Sequence, residues 1–434
     1  MKKNVLVVGG GIGGITSAYF EAKKGNNVTL IDSSERIGGL LKSDYNGKNY
    51  FDYGTHIIPE TSIPELNDFL FSLLDDENSV RTKNIKASSF FNGKMNNKSC
   101  YVDCSVIDKE LYNRGCVEFL EAENEESNNL DEKLINKFGK TFYTEILKKN
   151  IEKYTNTDPA LLDIKVGEFF DMSRLLVFND SVTKRLCTLP IYNSKMGHHV
   201  RVDGSMKYYP KDGGVGKIID LLESKLQKAG VKILKNTKIN KIINLNGIIR
   251  TVETKNENFN IDDLIWTLPS EQLLKILDLD VENMKNLEFI NAGLFDFTFD
   301  KKIASEATFI NVFDNKLLSG RITLYQNLAK NKNYSCTVEV LSAQNDLEKK
   351  IDIVYNELIE MGLVTSENQV KYRKYRKINK GFPILSKDFV ESQHRVNNFC
   401  EEYFKNVKFV GRSTSKDFFM PEVLVNAYNK ITKE

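Results

Sequence analysis

Residues 5–40 read VLVVGGGIGGITSAYFEAKKGNNVTLIDSSERIGGL, and this stretch decides the fold that the rest of the chain must join. The apolar run at residues 4–8 predicts a buried strand, and the glycine-rich turn after it leads into a helical pattern that ends at Gly25. Residues 28–31 predict a second strand, which ends at Asp32. The order strand, glycine turn, helix, strand and acid predicts a Rossmann-like unit that binds a dinucleotide.

The glycines of the turn have separate mechanical roles in such a unit. Gly9 permits the tight turn, Gly11 lets the backbone approach a pyrophosphate, and Gly14 lets the helix pack closely on the strand. The helix start offers unpaired N–H groups and the positive end of its dipole to the phosphates. Asp32 stands 18 residues after Gly14, where its carboxylate can accept hydrogen bonds from a ribose. The predicted phosphate contacts are Gly9, Gly11, Ile12, Gly13 and Gly14.

The residues after Asp32 indicate which dinucleotide binds. They read SSERIGGL and resemble the (D/E)-x(3)-R-x-G-G pattern that follows the second strand in FAD proteins of the glutathione reductase 2 class. That class includes amine oxidases, protoporphyrinogen oxidase, phytoene desaturases and UDP-galactopyranose mutase. In this pattern Arg36 can neutralise phosphate charge, and the following glycine pair lets the chain pass close to the flavin. We therefore predict non-covalent FAD, with contacts from Asp32, Ser33, Arg36, Gly38, Gly39 and Leu40.

Two later segments resemble the same class. The first runs from P-x-x-G-G at Pro210 through a helix and a β-meander to a strand that ends before Pro269, and the resemblance places Ile239 beside the adenine. In the second, a strand ends at Gly411-Arg412 before the start of a helix, which is again an anion-binding geometry. The contacts that this second segment implies are Gly411, Arg412, Glu422 and Val423.

The resemblance implies an α/β fold in which a discontinuous Rossmann-like FAD-binding domain is joined to a substrate domain with a mixed antiparallel sheet and a helical insertion. We assign residues 1–58, 203–275 and 403–434 to the FAD-binding domain. Residues 59–202 and 276–402 form the substrate domain with its helical insertion.

A third motif, Gly54-Thr55-His56-Ile57-Ile58, resembles the G-P-H-I-F of bacterial UDP-galactopyranose mutase, with Thr in place of Pro. In the flavoprotein class this segment brings backbone alongside the isoalloxazine ring, so the resemblance implies that Thr55 and His56 contact the flavin. The alternative is a purely structural histidine. The mutase motif continues with His-Thr, whereas this chain has Pro59-Glu60.

The C-terminal pattern G-R-x(5)-F-F-x-x-E-V-x-V-x-A resembles the mutase pattern G-R-x(5)-Y-x-D-M-D-x-x-I. Amine oxidases and protoporphyrinogen oxidases carry an acid where this chain has Arg412. The mutase family uses reduced flavin as a nucleophile, and its arginines hold the substrate diphosphate by bidentate contacts. The resemblance therefore implies that Arg412 holds a diphosphate or the flavin, and that His56 and Arg412 are the catalytic pair.

These motifs predict a mutase-like flavoenzyme that acts on a nucleoside-diphosphate sugar in surface-polysaccharide biosynthesis. The chain is longer than a typical mutase, and the shared motifs do not name the sugar. The alternative is an FAD-dependent oxidoreductase of the amine oxidase, protoporphyrinogen oxidase or desaturase type. A non-enzymatic flavoprotein is the third alternative.

The composition of the chain limits the kinds of binding partner that we expect. The 434 residues carry 61 basic and 59 acidic side chains, and this near balance gives no field that would favour nucleic acid or an anionic membrane. No apolar run of about 18 residues occurs, so we predict no transmembrane segment. The first strand begins almost at once, which leaves no room for a signal peptide. We expect a cytoplasmic protein with a small-molecule substrate and no nucleic-acid partner, and the oligomeric state stays open.

The six cysteines include no C-x-x-C pair, which indicates reduced thiols and no metal site. His198 and His199 would point to opposite sides of a predicted strand, so we expect no metal pair there either.

Alternating apolar runs between residues 287 and 341 predict an antiparallel sheet covered by a helix at residues 346–361. Residues 369–378 predict a basic strand, which is either a solvated strand face or a lid over an anionic substrate. Asn92-Gly93 predicts a hairpin between residues 88–91 and 100–102.

Overall fold

The computed structural model describes the 434-residue chain except residues 124, 201–203, 283, 286, 344–345, 413–417 and 434, and at residue 170 it describes the backbone alone. Within the part of the chain so described, no helix is long and apolar enough to cross a membrane.

The strands are β1 (Asn4–Val8), β2 (Asn27–Ile31), β3 (Ser43–Asn46), β4 (Asn49–Asp52), β5 (Ile58–Pro59), β6 (Ser79–Thr82), β7 (Ala87–Phe91), β8 (Lys94–Asn96), β9 (Lys207–Pro210), β10 (Lys232–Leu234), β11 (Ile239–Leu245), β12 (Ile248–Thr254), β13 (Asn258–Asn260), β14 (Asp263–Trp266), β15 (Glu288–Phe299), β16 (Phe309–Val312), β17 (Arg321–Leu324), β18 (Ser335–Ser342), β19 (Val370–Ile384) and β20 (Val407–Phe409).

The helices are α1 (Ile12–Lys23), α2 (Pro64–Phe71), α3 (Lys109–Glu121), α4 (Leu130–Phe138), α5 (Lys140–Phe142), α6 (Lys148–Thr155), α7 (Asp180–Leu186), α8 (Pro190–Asn193), α9 (Gly216–Lys228), α10 (Ser270–Ile276), α11 (Tyr325–Leu328), α12 (Ile351–Glu360), α13 (Lys387–Tyr403) and α14 (Met420–Thr432).

A five-stranded sheet in the order β10-β2-β1-β14-β20 forms the nucleotide-binding part of the fold, and its strand pairs are all parallel. Its strands come from all three segments that the sequence assigns to the FAD-binding domain, although the exact domain boundaries stay a prediction. The strands are continuously apolar because helices and a meander cover both faces. One face packs on α1, α9 and α14 through Val5, Val7, Val28, Leu30 and Ile265. The other face packs on α13 and the β11–β13 meander through Leu6, Val8, Ile31, Leu264 and Trp266.

A seven-stranded mixed sheet in the order β19-β15-β18-β17-β16-β7-β8 forms the second layer, with β16 and β7 paired in parallel. Successive side chains of a strand point to opposite faces, and here the two faces differ in chemistry. The apolar face packs under α12 through Phe295, Phe297, Ile322, Leu324 and Val338. The polar face carries Asp296, Thr298, Arg321, Thr323, Thr337 and Glu339. The predicted covering helix is present, although residues 347–350 form a 3-10 turn before α12.

The helices α3 to α8 form an insertion with an aromatic core between β8 and β9. A π-helical turn, Tyr143–Leu147, joins α5 to α6. Two polar side chains of α6, Lys153 and Tyr154, contact the second sheet and the loop before β17. Lys153 Nζ donates to the carbonyls of Val312, Asp314 and Ser319 at 3.1, 2.9 and 2.7 Å. Tyr154 Oη donates to the Val312 carbonyl at 2.8 Å, so side chains of α6 are hydrogen-bonded to the end of β16 and to the loop that leads into β17.

Three sequence predictions are wrong in detail. Asn92 and Gly93 do form a turn, with φ angles of +50° and +72°, but β7 pairs with β8 and not with residues 100–102. The basic strand continues to Ile384 as the edge strand β19. His198 and His199 lie outside any strand, and His199 Nε2 instead contacts the Phe178 carbonyl at 2.8 Å.

Candidate active site

The carboxyl ends of β1, β14 and β20 meet at one edge of the parallel sheet, where the glycine turn begins. Gly9 has φ of +98°, and a Cβ there would lie 2.2 Å from Thr267 Oγ1. A Cβ on Gly14 would lie 1.9 Å from the Gly9 carbonyl oxygen. Both positions therefore require glycine. In contrast, no heavy atom of the described residues lies within 4 Å of a Cβ placed on Gly11, so open space lies before the start of α1.

Asp32 holds this turn from the side. Its Oδ2 accepts from the Gly10 amide at 2.6 Å, and its Oδ1 accepts from the Ser34 amide at 2.7 Å. Each carboxylate oxygen has a second lone pair, so Asp32 can still accept from a ribose hydroxyl. The Thr237 amide donates to the Asp32 carbonyl at 2.8 Å, which brings the chain leading into Ile239 beside the same edge.

The second glycine pair faces the first turn. The Gly38 amide donates to the Gly10 carbonyl at 2.6 Å, and a Cβ on Gly39 would lie 3.5 Å from Gly11 Cα. Ser33 is exposed and Leu40 is half-buried beside this pair. The structure therefore brings the two predicted glycine motifs into contact.

Arg36 does not contact the glycine turns through any hydrogen bond recorded for its described surroundings. Its guanidinium forms a half-exposed ion pair with Asp220 on α9 at 3.0 Å. A phosphate contact from Arg36 stays a prediction.

The C-terminal segment completes the edge. Gly411 has φ of +104° and lies beside the Thr267 carbonyl. A Cβ on Gly13 would lie 3.2 Å from a methyl group of Val423, so the start of α14 packs on the start of α1. Glu422 Oε2 accepts from the amides of residues 418 and 419 at 2.9 Å each and fixes the beginning of α14.

The turn after β4 carries Thr55 and His56. Gly54 has φ of +118°, which lets its carbonyl turn back toward the imidazole, and His56 Nδ1 lies 3.1 Å from that oxygen. A carbonyl can only accept, so Nδ1 carries the proton and Nε2 is an acceptor. Burial, with the positive charges of Arg412 and Arg321, lowers the pKa of His56 to about 4. The imidazole is therefore neutral at pH 7.

The turn is bound to the polar face of the second sheet through Thr55. The Thr55 amide donates to Glu339 Oε1 at 3.0 Å, and Thr55 Oγ1 lies 2.5 Å from Thr323 Oγ1. A Cβ on Gly54 would lie 3.5 Å from Glu339 Oε2. The Glu339 carboxylate thus lies directly beside the predicted flavin-facing turn.

Asp52, the last residue of β4, anchors the turn from below and is fully buried. Its carboxylate accepts from Ser43 Oγ and Tyr209 Oη at 2.6 Å each and from the Val215 amide at 3.1 Å. Burial raises the pKa of Asp52 to about 6, although these donors oppose the shift. No role was predicted for Asp52 from the sequence, because its partners Tyr209 and Val215 are distant in the chain.

Arg376 ties this anchor to the second sheet. It donates through Nε and Nη2 to the two carboxylate oxygens of Asp296 at 2.5 and 2.8 Å, a bidentate pair with little exposure. Its Nη2 also donates to the Asp52 carbonyl at 2.9 Å. A buried polar network just below the turn therefore joins the two-stranded β3–β4 hairpin to the seven-stranded sheet.

Two arginines share the cleft beside His56. Arg412 is accessible, yet crowding by protein atoms lowers its pKa, which is the environment of a side chain inside a cleft. Its guanidinium carbon lies 5.8 Å from the Phe418 ring. Arg321 on β17 donates through Nε to Asn311 Oδ1 at 2.9 Å and lies 3.7 Å from Asp171. The charges of both arginines reach His56.

An aromatic cluster forms another wall near Arg412. The Phe169 ring lies 4.1 Å from the Phe418 ring and 5.2 Å from the Phe382 ring, and the Phe418 and Phe419 rings are 5.5 Å apart. Two cations near His56 are therefore accompanied by a cluster of aromatic rings that reaches Arg412 through Phe418.

Sequence reasoning missed Arg321, Glu339 and Asp171 as site residues. The alternation of β17 and β18 marks Arg321 and Glu339 as neighbours on one face, since the two pair directly. No comparable local signal marks Asp171. Within the described ranges, no group of three or more His, Cys, Asp and Glu side chains could hold a metal ion.

Comparison with known proteins adds three findings on the fold and sequence. Residues 7–73 match the NAD(P)-binding Rossmann-like domain family. A crystal structure of reduced UDP-galactopyranose mutase superposes with a TM-score of 0.76 at 16% identity, covering 99% of this chain and 92% of that one. The putative protoporphyrinogen oxidase of Exiguobacterium sp. 255-15 gives a TM-score of 0.70 at 15% identity, covering 100% and 98%. At these identities the structural likeness establishes the fold alone.

Two relatives match in sequence. The 1-hydroxycarotenoid 3,4-desaturase of Flavobacterium sp. (strain P99-3) is 24% identical over 374 residues, which cover 76% of this chain and 73% of the desaturase. The 4,4'-diapolycopen-4-al dehydrogenase of Metabacillus indicus is 23% identical over 260 residues, covering 55% of this chain and 50% of the dehydrogenase. The matched region thus spans about half of the dehydrogenase.

Proposed function

From the membership of this chain in the FAD-binding amine oxidase superfamily, we propose that it is a mutase-like flavoenzyme acting on a nucleoside-diphosphate sugar. The superfamily resemblance of residues 5–40 is confirmed, and with it FAD, bound non-covalently, as the cofactor. Catalysis by a flavoenzyme follows from this membership, whereas the nucleotide sugar is our inference.

The residues present fit FAD. The open space at Gly11 faces the helix start, whose N–H groups suit a pyrophosphate, and glycine is required at Gly9 and Gly14 on either side. Asp32 retains acceptor capacity for a ribose, and Gly39 borders the same space. When bound, FAD supplies a redox-active ring whose reduced form serves the mutase family as a nucleophile. We assign its phosphate and ribose ends to these residues, and its ring end to Thr55 and His56.

The pairing of Arg412 with Arg321 beside a neutral histidine carries the proposal. Arginine can bind each phosphate through two parallel hydrogen bonds, and Arg412 supplies a positive charge that attracts an anion and repels a protonated amine, while Asp171 at 3.7 Å offsets part of the charge of Arg321. Asn311 and Asp171 hold Arg321 in place, so little side-chain entropy is lost on binding. A diphosphate is the ligand that best matches two nearby guanidinium groups.

His56 and Glu339 supply the remaining polar groups of the cleft. Because Nδ1 of His56 is bound to the Gly54 carbonyl, its Nε2 can accept a hydrogen bond from a sugar hydroxyl. Glu339 is held by Thr55 and can accept a second one. The aromatic rings around Phe418 offer a surface for a nucleobase.

A nucleotide-sugar substrate is the reason that we place the reaction in surface-polysaccharide biosynthesis, and this placement depends on the substrate. The cytoplasmic location that we propose comes from the sequence and does not depend on it.

The second candidate is an oxidoreductase acting on an apolar substrate. The two sequence relatives are a carotenoid desaturase and a carotenoid-aldehyde dehydrogenase by name. The same aromatic wall of Phe169, Phe382 and Phe418 would suit a polyene, and that observation favours this alternative.

Titration of the FAD-loaded, anaerobically reduced protein with UDP tests the proposal. We expect UDP to perturb the reduced flavin spectrum, and Arg412→Ala or Arg321→Ala to weaken UDP binding by about 2–5 kcal/mol, as when one side of a buried charged contact is removed. Arg373→Ala is the matched control, because Arg373 pairs with Asp352 on the outer surface of the same sheet. If UDP does not bind while an amine or a polyene reduces the oxidised flavin, the oxidoreductase function replaces the mutase-like one.

A further inference from the structure

A cavity of about 250 Å³ lies apart from the cleft. Its walls come from β6, the segment between β6 and β7, β9, and the region around α11. Its lining includes none of His56, Arg321 and Arg412. It is therefore a separate concave site with a volume near the lower end of ligand pockets.

The cavity has an apolar floor and a basic rim. The apolar side chains are Ile57, Val80, Ile85 and Leu328. The rim carries the exposed Lys86 and Lys330, whereas the third lysine of the lining, Lys207, is buried and donates to Ser205. Glu306 is the carboxylate of the lining, and it is neutralised by an ion pair with Lys302 at 2.6 Å. The lining therefore presents a net positive charge over an apolar surface.

The side chains of Gln326, Asn327 and Thr308, which are neutral polar groups of the lining, are hydrogen-bonded to backbone groups of the protein. Asn327 Nδ2 donates to the carbonyls of Ser305 and Ala307 at 2.8 and 2.7 Å. Thr308 Oγ1 donates to the Lys86 carbonyl at 2.8 Å. The lysine ammonium groups are consequently the donors that distinguish one ligand from another in this cavity.

We propose that this cavity binds a small organic anion: a carboxylate carried on an aromatic or short aliphatic body. The floor would bury the apolar body of the ligand. The lysines would attract its carboxylate, because the lining has a net positive charge and a negative group complements it. An uncharged analogue of the same shape keeps only the first of these two contributions.

The cavity also borders the turn of the active site from behind. Ile57 lines the cavity and follows His56 directly in the chain. Tyr209 lines it too, and its Oη donates to the buried Asp52 carboxylate at 2.6 Å. A bound anion therefore contacts two side chains adjoining the Asp52–His56 turn, and we expect its binding to change the absorbance of the bound flavin.

Calorimetric titration of the FAD-loaded full chain with benzoate tests the proposal, with benzamide as the uncharged probe of equal shape. We expect saturable binding of benzoate and at least about tenfold weaker binding of benzamide. Lys86→Ala and Lys330→Ala should each weaken benzoate by about fivefold, the effect of one partly exposed ion pair. Lys83→Ala is the control, since Lys83 is exposed nearby but does not line the cavity.

Ile85→Trp supplies a second test, because the larger ring would fill the cavity and should abolish benzoate binding while the charges stay. Arg412→Ala distinguishes this cavity from the cleft and should leave benzoate affinity unchanged. The proposal is overturned if benzoate and benzamide bind equally, if neither binds at millimolar concentration, or if Arg412→Ala or Lys83→Ala weakens benzoate as much as Lys86→Ala does.

Discussion

The substitution Gly11→Ala separates cofactor binding from folding. Gly11 has φ of −69° and ψ of 176°, an extended conformation that alanine adopts without strain. Among the described residues other than its two chain neighbours, no heavy atom lies within 4 Å of the new Cβ. Replacing glycine restricts the unfolded chain, which stabilises the fold by about 0.4–1 kcal/mol, whereas alanine is a poorer N-cap for α1 by a similar amount, so the stability of the apo protein should change by less than about 1 kcal/mol.

We expect Gly11→Ala to weaken the binding of FAD. The added methyl group occupies the open space before α1, where the pyrophosphate would approach the helix N–H groups. Losing one charge-assisted hydrogen bond costs about 1.5–3 kcal/mol, which corresponds to a roughly ten- to hundredfold weaker affinity. Quenching of FAD fluorescence on titration of the apo protein measures this affinity.

Gly14→Ala is the matched contrast within the same turn. Its Cβ would lie 1.9 Å from the Gly9 carbonyl oxygen, so α1 and β1 must move apart. Overpacking of this kind costs about 1–3 kcal/mol or more, and the apo protein should melt at a lower temperature. The reasoning is refuted if Gly11→Ala binds FAD as tightly as the parent chain, or if its apo form is destabilised like Gly14→Ala.

Three further predictions concern the cleft. His56 has a pKa of about 4 in the fold against an ordinary 6.5, so the unfolded chain binds more protons between these values and His56 makes stability fall as the pH drops through that window. Asp52 has the opposite sign: its pKa rises from 3.8 to about 6, so Asp52 makes about 3 kcal/mol of stability disappear as the pH rises between these values. The two contributions oppose each other between about pH 4 and 6, so in the denaturant midpoints measured there His56→Ala should expose a loss of stability toward higher pH, and Asp52→Asn should expose a loss toward lower pH. A midpoint slope that neither variant alters would contradict both. Arg412→Lys should recover only part of the UDP affinity lost in Arg412→Ala, because a point charge cannot make a bidentate contact; full recovery in the same titration would exclude that contact.

The parts of the fold that were predictable depend on short-range physics. Residues 5–40 contain their own strand, turn and helix signals, and the structure forms β1, α1 and β2 there. The alternation of residues 287–341 likewise predicted the second sheet. The helix α13 was not predicted, although Ser386 caps it by accepting from the Phe389 amide at 3.2 Å. Its apolar side chains pack on α10 and the meander, a partner that local sequence does not reveal.

The part of the candidate site that is formed by backbone groups was the part that could be predicted from the sequence. Close backbone contacts can be predicted from the glycine motifs, because a Cβ does not fit at Gly9 or Gly14. Asp52 meets Tyr209 across 157 residues and Arg376 across 324 residues, and no local pattern encodes such pairs. Arg321 enters the cleft only because β17 pairs with β18 in a register that turns Arg321 and Glu339 to the polar face. Long-range register therefore decides which charges reach the cleft.

The difference between contacts made by backbone and contacts set by long-range register explains why the cofactor is easier to infer than the substrate. The dinucleotide end is built from backbone N–H groups and glycine contacts on one parallel sheet, and side chains there can vary without changing the ligand. The substrate end that we propose lies at Arg321, Glu339 and Thr323 on a different sheet, to which the β3–β4 hairpin is joined through Asp52 and Arg376. Charged side chains on that polar face can be exchanged without disturbing the apolar face under α12. One fold can therefore keep FAD while its substrate changes, and in this chain we propose that the charge of Arg412 and Arg321 selects an anion.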